Sequence, residues 1–194
     1  MKSWKMLVAT VMVSGILNAG AGAEKPVNAK KFDALATAAL EAMKQKAAEL
    51  NIQGVAVVNY APGESVAGWS SRMAVVGRMT DPKASANGNN LLGIAYAKSA
   101  EMADTLKDSG TVKRPPMTGE FGWQGGVVGA VKAGHVIVAF SGGKSEDDVQ
   151  VSKAGLAVMV KGLKGARVQM IDHPRPPNAR DRGHPASGML RGIR

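Results

Sequence analysis

The 194-residue chain contains no cysteine. Disulfides, thiolate nucleophiles and soft metal sites built on thiolate are therefore excluded. Aromatic residues make up only 4% of the sequence, and there are 3 histidines. No His-rich metal motif and no Ser-His-Asp spacing is present. Neither Gly-rich loop has the spacing of a Walker phosphate cradle. Long apolar runs are scarce too. The run at 6–17 (MLVATVMVSGIL) is short of the roughly 20 residues that span a bilayer. No later segment approaches that length without charged or polar breaks.

What is present begins with a leader-like start. Lys2 and Lys5 precede the apolar run, and Ala19-Gly20-Ala21-Gly22-Ala23 supplies small residues for cleavage after Ala23. The reading is a signal peptide over 1–23, and a periplasmic or secreted protein. Residues 24–163 are expected to form a single domain, long enough to bury a core without staples.

The net charge of +10 is uneven. Residues 164–194 carry seven Lys or Arg against two Asp, whereas 24–163 carry 16 against 13 acidic residues. The tail 164–194, with His173-Pro174-Arg175-Pro176-Pro177, is expected to be basic and largely disordered. It suits an acidic partner or an anionic membrane surface. Nucleic acid is not expected, because the tail has no aromatic residue on which bases could stack.

Periodicity predicts an amphipathic helix over 28–50, capped by Asn28. Strands follow at 55–60, 65–70 and 73–79, with short links that imply an antiparallel meander. Residues 80–90 read as a polar loop. A second helix is predicted over 91–108, capped by Asn89 or Asn90, with Gly110 as a left-handed C-terminal residue. Residues 127–132 and 135–140 read as a hairpin. A third helix starts at Ser145, with Ser145 and Asp148 as a capping box. The order α-β-β-β-α-β-β-α predicts an α+β fold: a mainly antiparallel five-stranded sheet covered by helices, in a profilin-like arrangement. Met73, Met79, Met102 and Met159 fall at core spacing.

The segment 114–148 concentrates the special chemistry: a Pro-Pro bend, a Gly-rich loop, two apolar runs and a Gly-Gly pair before a helix. Loops as long as 111–126 are often functional in compact domains. Ser141-Gly142-Gly143 precedes a helix N-terminus, which can hold an anion, although the acidic residues that follow favour a plain helix start. Glu120 beside glycine could act as an acid or base, but nothing in the sequence supplies it with a partner.

The helix run 91–106, the loop Gly119-Glu120-Phe121-Gly122-Trp123-Gln124-Gly125-Gly126, the Ala139-Phe140-Ser141-Gly142-Gly143 loop and the Ser145-Glu146-Asp147-Asp148 start together resemble the haem-binding GlcG/HbpS-like family. The resemblance covers roughly residues 31–163. It implies a compact α+β domain that forms a homo-oligomer, binds haem or another tetrapyrrole and, in some members, degrades it. The chain departs from the common pattern at Val58-Asn59-Tyr60-Ala61-Pro62-Gly63, and it adds Phe121 and Trp123 to the Gly-rich loop.

With haem as the implied ligand, the iron could be met by His or Met. His135 is the single His of the domain body; it serves either as a ligand or as a strand-end side chain. His173 and His184 lie in the tail. Met117, in the loop between Pro116 and Thr118 beside the Gly motif, is the other candidate. Arg114 with the backbone of Thr118, Gly119 and Glu120 could hold a propionate, or those glycines could serve subunit packing. Phe121 and Trp123 could stack on a porphyrin or anchor an oligomer contact. Ser141, Gly142 and Gly143 complete the ligand-binding set. The function expected from this is an exported, oligomeric tetrapyrrole-binding protein. An enzyme acting on haem or a small organic ligand, and a periplasmic scaffold, are the alternatives.

Overall fold

The structure, a computed structural model, describes residues 27–163. The predicted leader over 1–23 and the tail 164–194, with His173 and His184, lie outside the described residues.

Three helices and a four-stranded antiparallel sheet make an α+β fold. In chain order these are α1 (Ala29–Glu49), β1 (Gly54–Pro62), β2 (Ser70–Val76), β3 (Thr80–Asp81), β4 (Asn89–Asn90), α2 (Leu91–Thr105), β5 (Gly126–Val131), β6 (Gly134–Ser141) and α3 (Ser145–Gly162). The sheet order is β2-β1-β6-β5, and β3 pairs with β4 in a separate two-stranded ladder. In register, Val58 of β1 sits between Arg72 of β2 and Val138 of β6.

The two central strands explain the layering. Apart from the exposed Pro62, β1 is buried along its whole length, and β6 nearly so. Such continuous apolar strands arise when both faces of a sheet are covered. One face, with Ala56, Val58, Tyr60, Val136, Val138 and Phe140, packs against α1 and α3. The other, with Val55, Val57, Ile137 and Ala139, packs against α2. The edge strand β2 alternates between exposed and half-buried residues, as a strand covered mainly on one side should.

The caps are partly as expected. Asn28 Oδ1 accepts from Lys31 N at 2.8 Å, and Asn90 Oδ1 accepts from Gly93 N at 3.0 Å. Helix α2 stops at Thr105, with Leu106 itself left-handed at φ 50°; Gly110 belongs to the next turn. Helix α3 has no capping box. Lys144 is its N-cap, without a side-chain cap bond, and Asp148 is used elsewhere.

The sheet has four strands where the sequence predicts five. The run 65–70 does not form its own strand because β1 already has β2 on one edge and β6 on the other. Its Val66 instead packs beside Met102, Ile137 and Ala139. Met79, predicted in the core, is 44% exposed, because β2 ends at Val76. Met102 and Met159 are fully buried, and Met73 is half-buried against Val55 and Val57. Ser99, a small residue on the buried face of α2, permits its close approach to β1. Its Oγ accepts from the buried Asn59 Nδ2 at 3.2 Å and donates to Ala95 O at 3.1 Å.

Candidate functional site

The N-terminal end of β5, the C-terminal end of β6 and the start of α3 meet at one end of the sheet. Phe140 N donates to Gly125 O at 3.1 Å, which brings the two glycine loops together. The long loop is tied down on both sides. Ser109 Oγ accepts from Gly126 N at 2.8 Å, and Asp108 Oδ1 accepts from Val128 N at 2.9 Å.

Within that loop, residues 117–120 form a tight turn closed by Glu120 N donating to Met117 O at 2.9 Å. Gly119 takes φ 95° there, which a side chain would resist. Arg114 grips Glu120 with two parallel bonds, Nη1 to Oε2 at 2.7 Å and Nη2 to Oε1 at 2.9 Å. Its Nη2 also donates to Asp104 Oδ2 at 3.0 Å, and Met117 N donates to Glu120 Oε2 at 3.0 Å. The Arg114 guanidinium, helped by the Met117 N–H, holds the Glu120 carboxyl down at about 2. Arg114, predicted as a propionate partner, is thus already matched by two carboxylates and shapes the loop.

The consequence lies on the outside of the loop. Met117, Phe121 and Trp123 are each about half exposed, at 51%, 48% and 46%. The rings of Phe121 and Trp123 stack with centroids 4.8 Å apart and planes inclined by 27°. Thr118 is exposed on the same turn.

Ser141, Gly142 and Gly143 line a cleft of about 150 Å³ together with Lys98, Asp148, Leu91, Ile94 and Trp123. The anion position at the start of α3 is filled from within the chain. Asp148 Oδ1 accepts from Gly143 N at 2.8 Å, with Gly142 as a further backbone donor. Its Oδ2 accepts from Lys98 Nζ at 2.8 Å, and Lys98 Nζ also donates to Phe140 O at 2.8 Å. Both side chains are buried, at 3% and 4% exposure. Burial is the leading influence on both groups. It pulls the Lys98 amine down and pushes the Asp148 carboxyl up, and each partner opposes the shift of the other.

Gly125 is what lets Lys98 reach this position. A Cβ there would lie 2.2 Å from Lys98 Nζ, and its φ of 137° is itself unfavourable to side chains. Sequence reasoning missed Lys98 and treated Asp148 as a cap. The signal was helical spacing: Lys98 is three residues after Ala95 and four before Met102, and Asp148 is three before Val151, all buried.

His135 stands apart. It is the second residue of β6, opposite Ala61 and Ala130, near the far end of the strand from Ser141. It lies 6 positions before Ser141 along the strand, roughly 20 Å away. Its Nδ1 is buried without a hydrogen-bond partner. Among the described residues, no group of three or more His, Asp or Glu could hold a metal ion. No helix among them is long and apolar enough to cross a membrane.

Comparisons of the chain with protein-family models, with curated proteins and with solved structures found no match.

Proposed function

We propose that this protein binds a flat, apolar ligand of the tetrapyrrole class, such as haem, against the outer face of loop 111–125. The observation that carries the reading is the half-exposed trio Met117, Phe121 and Trp123, with two of its members stacked. Large apolar side chains gathered on one exposed loop mark an interaction surface. The rigid Arg114–Glu120 clasp keeps that surface in shape without the ligand, which lowers the ordering cost of binding.

The residues fit a haem lying on the surface, not one inside the chain. The cleft of about 150 Å³ is below the roughly 300–1,000 Å³ of pockets that enclose drug-sized ligands. Met117 offers an exposed thioether for the iron, whereas His135 belongs to the opposite end of the sheet. A second copy of the chain would cover the other side of the ring, so a homo-oligomer is part of the proposal. So is the profilin-like arrangement expected from the order of elements, which the antiparallel sheet with helices on both faces supports. The leader-like start supports export to the periplasm or beyond, and the basic tail would serve contact with an acidic partner or a membrane surface.

Titrating hemin into the purified protein and following the Soret band tests the reading. A saturable shift at low micromolar hemin is expected, with an altered band position in Met117→Ala. No saturable shift, or one shared equally by an unrelated basic protein, overturns it.

A further inference from the structure

A buried amine beside a buried carboxylate, at the floor of an open cleft, has no part in surface binding of a planar ligand. We infer that Lys98 and Asp148 form a second site, where the Lys98 amine condenses with a small aldehyde or ketone. The geometry supplies each element. Lys98 Nζ uses two of its three N–H positions, on Phe140 O and Asp148 Oδ2. The third has no partner among the described residues, and Lys98 lines the cleft. Leu91, Ile94 and Trp123 give that cleft an apolar wall, while Ser141 and Ser145 give it hydroxyls.

Size and charge restrict the ligand. About 150 Å³ admits a molecule of only a few carbons. Asp148 already occupies the backbone donors of Gly142 and Gly143, so a second anion finds those donors taken. A neutral carbonyl compound meets neither obstacle.

The chemistry balances within the pair. Asp148 takes one proton from the Lys98 ammonium, leaving a neutral amine. The amine nitrogen adds to the carbonyl carbon as the C=O π bond breaks, and Asp148 returns its proton to the carbonyl oxygen. A nitrogen proton then passes through Asp148 to the hydroxyl, which leaves as water. The product is a protonated imine that keeps the positive charge opposite the Asp148 carboxylate. One carbonyl and one ammonium become one iminium and one water, with no oxidant or reductant. Burial favours this route because it weakens the hold of the amine on its proton, the way lysine nucleophiles are generally activated.

Reductive trapping tests the site. The full chain is incubated at pH 7 with propionaldehyde, or with acetone, and sodium cyanoborohydride, and the modified lysines are mapped by peptide mass spectrometry. Lys98 is expected to be alkylated severalfold ahead of the exposed Lys83 and Lys153, because burial weakens the hold of its amine on the proton. Asp148→Asn should slow trapping at Lys98. Ala84→Trp, at the exposed rim of the cleft, should slow it while leaving the pair untouched, which covers the case in which Asp148→Asn fails to fold. Modification spread over surface lysines with Lys98 unreacted overturns the proposal. So does trapping at Lys98 that neither variant slows. Neither outcome decides hemin binding, which is tested at Met117 and Phe121, outside the lining of this cleft.

Discussion

Two ion pairs, one joining residues 50 apart in the chain and the other residues 6 apart, solve different problems with similar chemistry. Lys98–Asp148 is buried on both sides, at 3% and 4% exposure. Arg114–Glu120 keeps its arginine 29% exposed while its glutamate is 6% exposed. The first joins α2 to the start of α3 beneath a cleft. The second staples a loop to itself and turns Met117, Phe121 and Trp123 outward. The contrast teaches that charge placement divides the molecule: the buried pair belongs to the fold and its cleft, and the loop pair belongs to the outer surface.

The largest expected effect breaks the buried pair. Lys98→Met leaves Asp148 buried without its cation and should cost about 3–5 kcal/mol. The double variant Lys98→Met, Asp148→Leu removes both charges and should recover much of that loss, since apolar replacement of a buried pair is often close to neutral. Urea unfolding of the three proteins measures both steps. A double variant as unstable as the single one would mean that the Asp148 bonds to Gly142 and Gly143 matter more than the pair.

Glu120→Gln makes the matching change in the loop. It should speed proteolytic nicking within 111–125 while moving the global unfolding midpoint less than Lys98→Met does. Equal shifts in the midpoint would erase the distinction between the two pairs.

Acid sharpens the same distinction. Glu120 has its folded value lowered from 4.5 to about 2. A carboxylate with a lowered folded value stabilises fully above its unfolded value and loses that contribution as pH falls towards the folded one. The loop clasp should therefore be complete above about pH 4.5, weaken below it and be gone below about pH 2. Trp123 reports on this through its fluorescence, followed against a Trp123→Phe control. Loss of the clasp near pH 6 would contradict the assignment.

How far these features could be read from the sequence follows from what sequence patterns measure. Helix α1 with its Asn28 cap and helix α2 with Asn90 were legible, because helical spacing and capping chemistry are local. The β5–β6 hairpin was legible for the same reason. The run 65–70 was not, since its β-rich composition says nothing about whether β1 has a free edge. Leu106 at φ 50° was not legible either, because the left-handed residue that ends a helix is usually glycine. Lys98 and Asp148 were hidden by the habit of counting charges as exposed. Each lies on a buried stripe, and only the tertiary fold reveals that the two stripes face each other. The Arg114–Glu120 contact was half legible: both residues stood out, but as ligand contacts and not as partners.

The smallest expected effect on stability belongs to the outer face. Met117→Ala with Phe121→Ala removes half-exposed side chains and should change stability by no more than about 0.5 kcal/mol, as surface substitutions generally do. Thermal unfolding checks this.

The same variant decides the main reading when set beside the buried one. Hemin is titrated into the wild type, into Met117→Ala, Phe121→Ala and into Lys98→Met, Asp148→Leu, with the Soret band as readout. Binding by the outer face of the loop should be lost or weakened at least about tenfold in the first variant, the equivalent of ~1.4 kcal/mol, and kept in the second. A loop variant that binds hemin as the wild type does, or a cleft variant that alone loses it, contradicts the assignment of the ligand to that face.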